Sequence, residues 1–322
     1  PDLAPDRGRG RGVRPDMSHG WAAATVANEN CALSSAPRLA IWRPAPDLAP
    51  FVSGYHLYAV DDNGGEPNRG AFEPAWASLR FAVVTEWWRV RFAGKDWQEP
   101  PRSALFGPSS KLAWSESGSG ILVGVGLRPR GWARLFAQRA KDWSNRIDEI
   151  PRLGQTDPAE LNARFRAVSE DDEVPMILDT VLRAALRRST SDEPKVAALE
   201  AALVDPSIRS VAELTDALDM PLRNLQRLAD RAFGFSPRLL LRRARFLRSL
   251  HAIRASGRRT GSLAIDPAYT DYSHFIRDAH DFLGMSPQAF LDRDMPLLKA
   301  SLHLRERIIG TPAQALDPAV GY

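Results

Sequence analysis

Gly234-Phe235-Ser236-Pro237 returns fifty residues later as Gly284-Met285-Ser286-Pro287, and each copy closes an amphipathic stretch. Glycine ends helices readily because the left-handed region costs it little, and Ser followed by Pro suits the cap and first position of a new helix. Each copy therefore reads as helix, sharp stop, new helix. The register also holds upstream, where Leu225 matches Phe275, Arg227 matches Arg277 and Ala229 matches Ala279. Core positions and a basic surface position recur together, so two copies of one small helical unit are expected.

Outward from the repeat, nearly everything after Lys195 carries helical periodicity. A helix is expected over 196–204, and Ser210-Val211-Ala212-Glu213 has the form of a capping box starting the next, which runs to about Leu218. After a turn at Asp219-Met220, Pro221 opens a third helix with Leu222, Leu225, Ala229 and Ala232 on its buried side. Its outward side shows Arg223, Asn224, Gln226 and Arg227. A long helix over 237–255 carries the stripe Leu240, Ala244, Leu247 and Leu250. The second copy spans 262–290, with Tyr272, Ser273, His274 and Arg277 outward and Phe275 and Phe282 inward.

Two short helices joined by a tight turn, the second opening with exposed Arg, Asn and Gln, make a helix-turn-helix whose second member fits the DNA major groove. Arg pairs bidentately with guanine, and Asn or Gln with adenine, so Arg223, Asn224 and Arg227, which lie near one face, are the expected base readers, and Gln226 is a further DNA-binding candidate. Phosphate contact and plain solvent exposure are the rival roles for any one of them. A spacer of about 19 residues covers about 28 Å at 1.5 Å per residue, near the roughly 34 Å between successive major-groove faces. For His274 two roles stay open, phosphate contact or orientation of the turn.

The chain has 322 residues and a formal charge of +4. Positions 221–260, however, hold eleven arginines against the single acid Asp230, a local balance of 11 − 1 = +10. A block of one sign on helices suits a polyanion, nucleic acid first, and Arg243 and Arg248 are expected to face it. A merely solvated helical face would mix signs.

Length suggests about two domains at roughly 150 residues each. All nine tryptophans lie between Trp21 and Trp143, while Leu, Ala and Arg dominate later, which separates a partly β front from a helical back. Short apolar runs at 55–60, 79–85, 87–92 and 121–127, broken by Asp61-Asp62-Asn63-Gly64-Gly65 and Ala93-Gly94-Lys95-Asp96, read as strands and hairpins. Helices are expected over 129–143, 158–168 and 175–188, with the acidic run 170–173 as a linker. The polar stretch 189–194, ended by a proline, marks the boundary. The expected division is an N-terminal extension over 1–36, disordered or non-native, with Met17 a candidate initiator; an effector-binding or dimerisation domain over 37–190; a DNA-binding domain over 194–295; and a C-terminal helix and tail over 296–322. The fold class is thus α+β, an antiparallel front domain followed by an all-α domain of two helix-turn-helix units joined by a long helix.

Cys31 is the only cysteine, so neither an intramolecular disulfide framework nor a cysteine zinc site is expected, and a reducing cytoplasm fits. No apolar run reaches bilayer length, and no signal-peptide core stands near the start. The six histidines are scattered, and no His-Glu-x-x-His pair, phosphate loop or Gly-x-Ser-x-Gly elbow is present, so no catalytic residue, metal site or cofactor is expected.

Residues 195–292 resemble the DNA-binding domain of the AraC/XylS-type bacterial transcription regulators. The resemblance rests on Leu225-Gln226-Arg227, on both Gly-x-Ser-Pro turns and on Tyr269-Thr270-Asp271-Tyr272-Ser273-His274-Phe275-Ile276-Arg277. It implies a seven-helix domain that binds double-stranded promoter DNA and acts on RNA polymerase. Two departures stand out: Asp266-Pro267-Ala268 replaces the usual run of helix into a glycine turn, and Ala279 replaces a large aromatic.

The front part is similar to an uncharacterised domain of some such regulators at Pro46-Asp47-Leu48-Ala49-Pro50-Phe51-Val52, Phe106-Gly107-Pro108 and 124–131. It has Pro74-Ala75-Trp76 and Leu79-Arg80 where that domain tends to show a Pro-Asp-Gly turn and a strand glutamate. Trp87, Trp88, Trp97 and Trp114 are the candidate lining of an effector cavity, with ordinary aromatic core as the rival reading. An enzymatic front domain and a pure homodimerisation surface are the alternatives to a small-molecule sensor.

Overall fold

Period-two alternation along one strand organises the front of the molecule. In β4 (Ser78–Thr85), Leu79, Phe81 and Val83 enter one buried cluster, while Ser78, Arg80, Ala82 and Val84 face the opposite way. A strand so placed is covered on both faces. The computed structural model describes residues 37–61, 64–187, 189–257 and 265–318, so the expectations for residues 1–36, including Cys31, lie outside the described residues.

β4 belongs to an antiparallel six-stranded sheet with β1 (Arg38–Trp42), β2 (Val52–Val60), β6 (Ser103–Phe106), β8 (Gly120–Leu127) and β9 (Ile147–Glu149), in the order β1-β2-β8-β4-β6-β9. β3 (Asn68–Phe72), β5 (Trp88–Phe92) and β7 (Ala113–Ser117) form a second sheet in the order β3-β7-β5. Helices α1 (Pro129–Leu135), α2 (Pro158–Arg166) and α3 (Glu173–Ala185) supply Trp132, Leu161, Phe165, Leu178 and Leu182 to the core on the outer face of the large sheet. Between the sheets, Trp88, Val90, Phe92 and Phe106 pack one end, and the other end holds a cavity.

The helix expected over 129–143 breaks. Phe136 turns extended, Trp132 Nε1 donates to the Gln138 carbonyl at 2.9 Å, and a separate 3-10 turn follows at Ala140–Trp143. The bend brings Trp143 back onto Trp132, with ring centroids 6.1 Å apart, so aromatic packing overrides helical periodicity. The acidic run at 170–173 is no mere linker either. Asp171 pairs with Arg38 at 3.2 Å, Asp172 accepts from Trp42 Nε1 at 3.0 Å, and α3 starts within the run.

The back half comprises α4 (Glu193–Val204), α5 (Val211–Ala217), α6 (Leu222–Ala232), α7 (Pro237–Ser256), α8 (Tyr272–Leu283), α9 (Pro287–Leu291) and α10 (Pro296–Ile309). Ser210 and Glu213 form the capping box at α5. Both copies of the repeated turn share one geometry. Gly234 and Gly284 sit at φ +84° and +76°, and Ser236 and Ser286 cap the helices that follow. Leu222, expected on the buried side of α6, is 48% exposed, because the core of this unit begins one turn later at Leu225. The start of the second copy at 262–264 lies outside the described residues. Pro267 sits in a turn, which Asp266 anchors by accepting from Arg248 Nε at 2.7 Å and Ala268 N at 2.9 Å.

The two halves are joined by shared packing. Ala71, Trp76 and Leu112 of the front belong to the same buried cluster as Phe233, Leu247, Phe275 and Phe282 of the back. α10 then returns to the front and covers β1 and β3. Among the described residues no helix is long and apolar enough to cross a membrane.

Candidate functional site

α5, the turn at Asp219-Met220 and α6 make the first helix-turn-helix. On α6, Leu225, Leu228, Ala229 and Ala232 are buried, and Arg223, Asn224, Gln226 and Arg227 are exposed. No carboxylate among the described residues pairs with Arg223 or Arg227, so both guanidiniums are presented to solvent. In α8 the Asp271 carboxylate accepts the His274 N–H at 2.7 Å as the helix cap. Ser273 and Arg277 are exposed, whereas Tyr272 is half-buried against Phe275. His274 is half-buried, with Nε2 3.0 Å from Arg245 Nη2, Nδ1 3.3 Å from Thr270 Oγ1 and its ring edge-on to Tyr269.

The arginine block divides. Arg243, expected to face DNA, is 1% exposed at the junction of the two halves. Its Nη1 donates to the carbonyls of Ala75 and Ser109 at 3.1 and 2.9 Å, and its guanidinium lies 4.0 Å from the Trp76 ring centroid. Arg248, also expected on the DNA face, is half-buried and spent on Asp266. Arg242 pairs with Asp278 and Asp281, Arg245 with Asp278, and Arg254 with Glu73. Counting charge over 221–260 missed these acids because they lie on other elements. Arg223, Arg227, Arg238 and Arg277 remain exposed, and Arg209, Arg238, Arg242, Arg245 and Arg277 line a groove between α5, α7 and α8.

The front-domain cavity has a volume of about 220 Å³. Of the four expected tryptophans only Trp88 lines it. Trp87 is 39% exposed, Trp97 carries Arg89 and Arg91 over its ring, and Trp114 packs against Phe290 of α9. Trp114 is outside the lining, although Ser115, Glu116 and Ser117, which follow it on β7, belong to it. The polar lining comes instead from His56 and Tyr58 on β2, Arg80 on β4, Glu73 after β3, and Ser301 and Arg305 on α10. The back of the chain thus closes a cavity in the front. Tyr58 Oη lies 2.8 Å from Ser301 Oγ, and Arg305 binds Asp317 at 2.8 Å.

Burial, with the charges of Arg80 and Arg305 nearby, holds His56 neutral, its pKa lowered to about 3. Burial also lowers Arg80 to about 10. For Glu73, burial works against ionisation, but the charges and hydrogen bonds of His251 and Arg254 outweigh it and leave the carboxyl at about 2. One residue available to sequence reading marked the cavity: Arg80 is the lone charge in the apolar run Leu79-Arg80-Phe81-Ala82-Val83-Val84. Nothing comparable marked α10.

The repeated turns abut the front half. A Cβ at Gly234 would meet Ser144 and Pro108, and one at Gly284 would meet Ala93. Ser144 Oγ donates to the Gly234 carbonyl at 2.6 Å, and Leu112 N donates to the Phe282 carbonyl at 2.7 Å. The C-terminal ends of α6 and α8 are both held by one body.

Comparison with known proteins places a helix-turn-helix domain at residues 214–293. Among solved structures, ToxT from Vibrio cholerae is similar at 11% identity and a TM-score of 0.43, covering 74% of this chain and 97% of that one. ToxT from the O395 strain bound to (E)-4-(8-methylnaphthalen-1-yl)but-3-enoic acid is similar at 13% identity and a TM-score of 0.41, over 79% of this chain and 98% of that one. No curated protein matches.

Proposed function

We propose that this protein, whose residues 214–293 match a helix-turn-helix domain, is a cytoplasmic, non-enzymatic regulator of the AraC type that recognises promoter DNA with α6 and α8 in adjacent major grooves. The carrying observation is the free face of α6, where Arg223, Asn224, Gln226 and Arg227 stand exposed over a fully buried opposite face. Arg223 and Arg227 suit guanine edges, Asn224 and Gln226 suit adenine, and exposed Leu222 suits a thymine methyl. Ser273 and Arg277 do the corresponding work on α8, with Tyr272 beside them, while Arg209 and Arg238 supply salt-dependent attraction to phosphate. α7, at 20 residues, spans about 30 Å and sets the spacing of the two units.

The front-domain cavity is the site for a small-molecule effector, and contact with RNA polymerase is the downstream step. The domain limits we adopt are 37–190 for the sensor and 194–295 for the reader. Footprinting on the gene's own upstream region tests the reading. Protection of a site spanning two adjacent major grooves, lost in R223A, is expected; protection no better than on scrambled DNA overturns it.

A further inference from the structure

Four charged residues line the front-domain cavity: Glu73, Arg80, Glu116 and Arg305. Three are neutralised by neighbours. Glu73 holds Arg254 at 2.8 Å, Glu116 holds Arg89 at 2.6 Å, and Arg305 holds Asp317 at 2.8 Å. Arg80 is the exception. It is 8% exposed, its Nε donates to Ser78 Oγ at 3.2 Å, and its Nη1 meets no acceptor among the described residues. The guanidinium carbon lies 3.5 Å from the Phe72 ring centroid and 4.5 Å from that of Phe106. Aromatic rings satisfy the faces of a guanidinium but leave its in-plane N–H donors unanswered. A buried cation without a counter-charge is costly, and its in-plane fork matches a carboxylate.

The strands place a second unsatisfied group beside it. Gly124 of β8 is registered with His56 on one side and Arg80 on the other. A side chain at Gly124 would run into the His56 ring, so the glycine keeps this row open. His56 Nε2 likewise has no partner among the described residues. The rest of the wall is largely apolar, including Val84, Ile121 and Leu122 from the sheet and Leu297 and Leu302 from α10.

We propose that the cavity takes a small organic monoacid, its carboxylate held by Arg80 and His56 and its apolar body lying between the large sheet and α10. The inference rests on the sensor reading above and names the chemical class of the effector. A volume of about 220 Å³, below the roughly 300 Å³ of drug-sized pockets, restricts the occupant to a small molecule. Because α10 forms one wall, the ligand touches the segment that follows the DNA-binding domain as well as the sheet.

The test uses the purified full chain without DNA. Hexanoate, octanoate, benzoate and 2-naphthoate are each compared with the matching primary amide by thermal shift and tryptophan fluorescence. At least one acid is expected to bind saturably and about tenfold or more tightly than its amide. R80K keeps that preference and R80M abolishes it, with R80Q taking the place of R80M should the latter not fold. Equal binding of acid and amide, binding of no acid in the panel, or an acid preference surviving in R80M overturns the proposal. DNA protection by the unliganded chain is scored separately. Protection retained with no acid selectivity sinks the ligand inference alone, and protection absent altogether sinks the regulator reading.

Discussion

Arg254 on α7 donates its Nη2 to Glu73 Oε1 at 2.8 Å, and His251 Nε2, one turn earlier, lies 2.8 Å from the other carboxylate oxygen. Glu73 also lines the cavity. A single carboxylate therefore bridges the front-domain cavity and α7, the helix between the two helix-turn-helix units.

The E73Q variant should separate the halves of the molecule energetically. Removing one member of a buried charge cluster strands the others, which costs on the order of 3 kcal/mol. The sign with pH follows from the depressed carboxyl. Its folded pKa of about 2 lies below the ordinary 4.5, so its stabilisation is complete above pH 4.5 and is lost as pH falls toward 2. Urea midpoints measured from pH 6 to 3 should fall more steeply in the wild type than in E73Q. Parallel curves would remove Glu73 from the account.

Arg243 and Arg227 should behave oppositely despite both lying in the basic block. R243M leaves the Ala75 and Ser109 carbonyls without their donor and should destabilise by about 2 to 4 kcal/mol. The slope of log K against log salt for DNA binding should stay unchanged. R227A should leave the melting temperature nearly unaltered while DNA affinity drops. A lower salt slope in R243M would put that side chain back on the DNA.

For base selection, R223A and R227A should each relax preference at one or two base pairs, at about 1 to 3 kcal/mol. Competition with single-position operator variants checks this. Uniform loss across all sequences would reassign these residues to phosphate.

Glu200 on α4, hydrogen-bonded to Arg128 at 2.8 Å, has its pKa pushed up to about 7 by burial, against the pull of Arg128. Between pH 4.5 and 7 the folded chain keeps a proton there that the unfolded chain lacks, so this group's contribution declines as pH rises across that window. E200Q should flatten the decline, by on the order of 2 kcal/mol between pH 5 and 8. Identical pH profiles for the two proteins would count against it.

The helical back was legible because its signals are local. Gly234 and Gly284 need positive φ wherever they stand, Ser236 and Ser286 cap whatever helix follows, and Ser210 with Glu213 closes a box within four residues. The strands at 79–85 and 121–127 were legible for the same reason, since alternation is a property of neighbours in sequence.

Tertiary structure decided which charges are free. Arg243 and Arg227 look alike in a string of letters, yet one meets Trp76 and two carbonyls from more than a hundred residues away, and the other meets solvent. The cavity followed the same rule. Trp97 and Trp114 were singled out by composition, but Arg80, His56 and the returning α10 converge only when two sheets and both halves close together. Sequence by itself determined the capped helices of the back and the alternating strands of the front, because short-range sterics and hydrogen bonds act within a few residues. Counter-charge, burial and enclosure depend on distance in space, so only the folded chain assigned them.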